Sequence, residues 1–158
     1  VTLVLGLVAL AGGAGLWLGR RIGATPVTGR DRLARLEALL AHSVDAAYSR
    51  DLRTDTYDYL SPALEHVMGV TPDQMRSLSV SQLVDRIHPD DRTLVERVVE
   101  ESLVAHRGRV EYRFRANSGE YRWIADHYAV EVGGDGRPTH RSGLLRDVSA
   151  ERRAEQQL

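Results

Sequence analysis

The stretch RVEYRFRANSGEYRWIADHYAVEVGGDGRPTHRSGLLRD, Arg109 to Asp147, decides the fold. Val110, Tyr112 and Phe114 alternate with Glu111, Arg113 and Arg115 until Asn117-Ser118-Gly119 breaks the run. A second run begins at Glu120-Tyr121-Arg122-Trp123-Ile124 and lasts to Val132. Gly133-Gly134-Asp135-Gly136 interrupts it, and a third run ends at Leu144-Leu145-Arg146-Asp147. Period-2 alternation bounded by Asn/Gly and Gly/Asp turns predicts three antiparallel strands joined as hairpins. Such a meander needs cover on one face, so the rest of the chain must supply it.

Upstream, Ala46 to Leu52 and Thr56 to Leu60 read as two strands of β-prone residues around a turn at Arg53-Thr54-Asp55. Ser61-Pro62 predicts a helix start, with serine as N-cap and proline at the first position, and Gly69 its end. Thr71-Pro72-Asp73-Gln74 has the spacing of a capping box. Val80 to Ile87 forms another short helical piece. His88-Pro89-Asp90-Asp91 then caps a longer helix with an apolar stripe of Leu94, Val95, Val98, Val99 and Leu103. Glu96, Arg97, Glu100 and Glu101 fall on its wet face, and Gly108 closes the connection into the meander. The order predicts an α+β fold, a five-stranded antiparallel sheet covered on one face by short helices.

The beginning of the chain is different. Residues 1–19 carry no charge, and Arg20-Arg21 follows. As a helix, residues 1–19 span about 28 Å, close to a bilayer core, so residues 1–21 are expected to be a transmembrane helix. Arg20, Arg21 and Arg30 place the remainder on the cytoplasmic side of an inner membrane. Gly15 and Gly19 fit a helix-pairing spacing. Residues 22–42 are read as a juxtamembrane linker and an amphipathic helix with Leu33, Leu36 and Leu40 on one stripe. A homodimer is the expected assembly. With a net charge of −1, no basic stripe and no cysteine, nothing calls for nucleic acid, disulfides or thiolate chemistry.

Several motifs occur in one order: Tyr59-Leu60-Ser61-Pro62, Gly69, Ile87-His88-Pro89-Asp90-Asp91, Glu111-Tyr112-Arg113, Ser118 to Ile124, Gly136-Arg137-Pro138 and Asp147-Val148-Ser149. Together they resemble a PAS domain, of the PAS fold 3 type found in bacterial sensor histidine kinases and cyclic-di-GMP enzymes. The resemblance covers residues 43–149. It implies a sensory and dimerisation module that passes its signal through a helix leaving the last strand at Asp147-Val148-Ser149. Residues 150–158 are read as the start of that exit helix, with an effector domain expected after Leu158. Trp123, Asp147, Val148 and Ser149 are the implied relay residues, Trp123 facing a neighbour.

Catalytic patterns are not evident. Gly133-Gly134-Asp135 resembles the opening of a diguanylate cyclase signature, but Gly136-Arg137 follows and the position demands a turn. His42-Ser43 lacks the acidic neighbour of a phospho-accepting histidine. The six histidines show no metal-binding spacing. Relatives that bind flavin use a cysteine, absent here. Haem-binding relatives use a histidine within the long helix, where only His106 stands at the end. No cofactor is therefore evident from the sequence. The candidate ligand pocket is the covered sheet face. Alternation puts Tyr112 and Phe114 there, and similarity to the fold adds Ile124, Asp126 and Tyr128. Arg141 and Leu145 share it on the last strand. Asp126 and Arg141 are charges at core positions and need partners. Either a bulge or rim salt bridge accommodates them, or they contact a small-molecule ligand.

Overall fold

The structure, a computed structural model, describes residues 29–157. The expected membrane helix and its glycine spacing lie outside the described residues. Among the described residues no helix is long and apolar enough to cross a membrane.

The elements follow in the order α1 (Gly29–Ala41), β1 (Ala46–Asp51), β2 (Thr56–Leu60), α2 (Ala63–Met68), α3 (Pro72–Ser77), α4 (Val80–Arg86), α5 (Pro89–Ala105), β3 (Arg107–Arg115), β4 (Tyr121–Val132), β5 (Pro138–Asp147) and α6 (Ser149–Gln156). The strands form one antiparallel sheet ordered β2-β1-β5-β4-β3. The meander therefore supplies one side of the sheet, and the first hairpin docks through β1 onto the last strand.

Turn chemistry produces these boundaries. Gly119 and Gly136 take positive φ in the two hairpin loops, and the Asp135 carboxylate accepts the Arg137 N–H at 3.1 Å. The Gly-Gly-Asp stretch is a turn. Gly69 ends α2 at φ 67°, where a side chain would cost energy. Thr71 and Gln74 form the predicted capping box on α3, and Ser79 with Gln82 repeats it on α4.

Three local expectations need correction. Ser61 does not cap α2. Its hydroxyl accepts the Ala47 N–H at 2.9 Å and its own N–H donates to the Ala47 carbonyl at 2.9 Å, so it extends the β1–β2 pairing. The buried side of α5 is Val95, Val98, Val99 and Ser102, whereas Leu94 and Leu103 stay exposed at 39% and 41%. The helix is turned by part of a residue spacing from the predicted stripe. Finally, His106, in the left-handed region at φ 58°, ends α5, and Gly108 already belongs to β3. Gly108 is needed because the Tyr128 ring lies over it: a Cβ would stand 2.3 Å from Tyr128 Cζ.

Leu64, Val67, Val70 and Ile124 are almost completely buried between the helices and the sheet. Each such side chain stabilises the fold by about 1.5–3 kcal/mol. In contrast, Leu33, Leu36 and Leu39 on α1 are exposed at 57–70%.

Candidate functional site

The inner face of the sheet is arranged in cross-strand rows. One row runs Ala46, Leu145, Asp126, Val110; the next runs Tyr48, Gly143, Tyr128, Gly108; a third pairs Arg50, Arg141 and Val130. In the middle row the glycines leave room for the tyrosine rings. A Cβ on Gly143 would meet the His127 carbonyl at 2.6 Å and Tyr128 Cβ at 2.7 Å.

Between this face and the helices lies a cavity of about 410 Å³, within the range of about 300–1,000 Å³ common for small-molecule sites. Its sheet side is polar and aromatic: Tyr48, Arg50, Tyr57, Tyr112, Asp126 and Arg141. Its helical side is mainly apolar, with Leu64, Met68, Val84, Ile87, Val95 and Val99. Arg92, Glu96 and Glu100 of α5 also border it, so part of the predicted wet face turns toward the cavity. The lining residues offer shape, hydrogen bonds and charge.

Asp126 sits in regular strand pairing; the β4–β5 register shifts only later, between Glu131 and Val132. A bulge therefore does not re-aim it, and at 9% exposure it is no rim residue. Both carboxylate oxygens accept from the Tyr48 hydroxyl at 3.2 Å. Burial raises its pKa to about 7, against the opposing pull of Arg141 and the Tyr48 hydrogen bond. Burial, with the Asp126 charge adding to it, also holds the Tyr48 and Tyr112 hydroxyls well above their ordinary range.

The two arginines face each other directly across β1 and β5. Arg50 is 7% exposed, pairs with the Asp55 carboxylate at 2.6 Å and stacks over Tyr57. Arg141 stacks over Tyr128 with its guanidinium carbon 5.2 Å from the ring centre. The Nε of each arginine is buried without a hydrogen-bond partner.

Of the residues expected from sequence, Tyr112, Phe114, Asp126, Arg141 and Leu145 line the cavity. Ile124 and Tyr128 do not. Ile124 is sealed in the core, and the Tyr128 hydroxyl is directed to the Val98 carbonyl at 3.4 Å. Tyr48, Arg50 and Tyr57 were missed. The alternation of Ala46, Tyr48 and Arg50 was available to place β1's inner face, but only its pairing with β5 reveals that Arg50 opposes Arg141. His106 is exposed and does not line the cavity. A separate group outside the cavity lining, buried Asp51 with Asp58 and His140, brings possible metal-ligand atoms together. However, Arg53 already binds both Asp51 oxygens, at 2.7–3.2 Å, and holds its pKa far below the ordinary value.

A family model described as the PAS fold matches residues 57–145, more than half the chain. The chain belongs to the PAS-fold family. Among solved structures, this PAS domain is similar to a sensory box histidine kinase/response regulator from Burkholderia thailandensis. The identity is 28% and the TM-score 0.63, over 77% of this chain and 90% of that one. It is similar as well to the N-terminal domain of a diguanylate cyclase with PAS/PAC sensor from Marinobacter aquaeolei, at 26% identity and TM-score 0.60, over 68% and 98%. An RNA-binding light-oxygen-voltage receptor, at 18% identity and TM-score 0.65 over 95% of this chain and 40% of that one, shares the fold. No curated protein matches the chain.

The exit from the PAS sheet is built around Trp123. The Asp147 carboxylate accepts the Ser149 N–H at 2.9 Å. The Ser149 hydroxyl accepts the Trp123 N–H at 2.9 Å, and the Val148 N–H donates to the Trp123 carbonyl at 2.8 Å. These bonds set the direction of α6. On the outer face two guanidinium groups lie over the Trp123 ring, Arg113 at 5.2 Å and Arg152 at 5.1 Å from its centre. Arg152 also pairs with Glu111. Within the described residues, then, the Trp123 ring is covered by Arg152 of α6 and Arg113 of β3. Arg113 in turn is gripped by Asp91 in the first turn of α5, with Nε at 2.9 Å, Nη2 at 2.8 Å and the backbone N–H at 2.8 Å. The Arg113 guanidinium beside Asp91 holds that carboxyl below its usual range.

Proposed function

We propose that this PAS domain is the sensory module of a bacterial signalling protein and that occupancy of its cavity is relayed to the exit helix α6. The observation that supports this most directly is the unbroken chain of contacts from cavity to exit. Helix α5 forms a wall of the cavity through Val95 and Val99, and its first turn holds Arg113. Arg113 stacks on Trp123, and Trp123 stacks on Arg152 of α6. A shift of α5 on ligand binding alters where Arg113 lies, and so alters the support under α6. In this reading a ligand biases two states by binding one better than the other.

The similar structures named above support an effector of histidine kinase or diguanylate cyclase type. In this proposal the first 21 residues tether the module to the inner membrane, with the domain cytoplasmic. The exposed leucines of α1 favour a homodimer, and with it a second reading: a dimerisation module that holds no ligand. The cavity separates the two readings. Filling it by Val99→Phe, from the α5 side, changes amide hydrogen exchange in α6 if the cavity is the sensing element. Unchanged exchange in α6, in a variant that remains folded, leaves only the dimerisation role.

A further inference from the structure

We propose that the cavity takes a small organic monocarboxylate, its carboxylate held by Arg141 and Arg50 and its apolar body packed against the helices; this rests on the sensor reading above. Arg141 and Arg50 stand directly opposite on neighbouring strands, and both point to the buried face. Like charges at directly opposed positions repel. Asp55 offsets the charge of Arg50 at 2.6 Å. Among the described residues Arg141 has no such close acid: it rests on the Tyr128 ring, and the nearby Asp126 carboxyl is engaged by the Tyr48 hydroxyl. Each guanidinium retains a buried Nε–H that donates to nothing. A buried donor without an acceptor is costly; both Nε atoms are out of reach of water, so what marks the place for an anion is the pair of facing guanidinium charges that border the cavity. A carboxylate has the oxygens and the charge to serve both, since charge-assisted contacts to arginine are the strong ones.

The rest of the cavity decides what the carboxylate is attached to. The helical side of the lining is mainly apolar, with Leu64, Met68, Val84, Val95 and Val99, and its one side-chain donor, Arg92, is engaged by the Ile87 and Asp85 carbonyls. Glu96 and Glu100 border the same cavity on α5 and disfavour a second negative charge, so a dicarboxylate is a poorer fit. An apolar monocarboxylate satisfies both halves.

Octanoate is the probe, with octanamide as its neutral counterpart, titrated calorimetrically into the full chain. Octanoate binds at least tenfold more tightly than octanamide, and Arg141→Met loses that preference. Arg141→Met is chosen because exchanging a half-buried cation with no close acid for an apolar side chain of similar length is compatible with folding; Arg50→Gln, which keeps hydrogen-bonding groups, is the second variant and weakens octanoate in the same direction. Equal binding of the two probes overturns the proposal, as does octanoate affinity unchanged in both variants, or no octanoate binding at all. Amide exchange in α6 with bound probe separates the two claims. Octanoate that binds through Arg141 but leaves α6 unchanged supports the anion site and defeats the sensor reading. Octanamide that binds equally and alters α6 supports the sensor reading and defeats the anion site.

Discussion

Asp126 shows how one side chain can carry opposite demands. Its row neighbours Val110 and Leu145 are apolar, and burial outweighs both the Tyr48 hydrogen bond and the attraction of Arg141. The folded protein therefore keeps the Asp126 proton up to about pH 7, whereas the ordinary aspartate value is 3.8. Between those two values the folded state binds a proton that the unfolded chain has released. The contribution of Asp126 to stability is thus complete below the lower value and is lost as pH rises toward the upper one, by roughly 1.4 kcal/mol per pH unit. Asp126→Asn removes this loss. Urea denaturation across that interval is predicted to show the parent weakening relative to the variant with rising pH; parallel curves would mean that Asp126 ionises as freely folded as unfolded. The presence of a charge at this core position was legible through the resemblance to the fold, which sets the inward face of the strand. Its resolution was not, because Tyr48 lies 78 positions away in sequence and meets Asp126 only through the β1–β5 pairing.

At the scale of elements, the strength of each attachment decides which part can move. The sheet is held by continuous ladders, and α5 is anchored by Val95, Val98 and a carboxylate clamp on the edge strand β3. Helix α6 is different: among the described residues its helix buries none. Arg152 and Glu111 are part-exposed, so solvent screening keeps their ion pair weak, and the stacking of Arg152 on Trp123 at this exposed site is a weak contact too. Attachment of that size lies within the coupling energy of about 1–3 kcal/mol that a ligand can exert. Arg152→Ala is expected to raise amide exchange throughout α6 by roughly 5–30-fold, with the global melting temperature nearly unchanged. A shift of the global transition as large as that of a core substitution would show that α6 is integral to the fold. Turn and cap residues made most of these elements readable in sequence: the boundaries of β2, the meander strands and the Thr71 cap all follow from them. The phase of α5 did not, because Ser102 and Leu103 differ in burial for reasons set by the sheet beneath, and periodicity has no knowledge of that surface.

For the molecule as a whole, the cavity, α5, the Arg113–Trp123–Arg152 stack and α6 form one path across the sheet from its inner to its outer face. The inner-face half of that path was legible in sequence as a set of alternating residues; the outer half was not, since Arg113 and Arg152 are widely separated in sequence and the stacking of both on Trp123 is a tertiary event. The central claim is that the state of the cavity reaches α6 through Trp123. The chain has no cysteine, so Glu155→Cys gives a single nitroxide site on the exposed side of α6. Its electron paramagnetic resonance lineshape is compared with the cavity open and filled by Val99→Phe, each with Trp123 and with Trp123→Ala. The predicted result is a lineshape that changes on filling when Trp123 is present and does not change when it is alanine. A lineshape indifferent to filling, or a change that survives the loss of Trp123, contradicts the account.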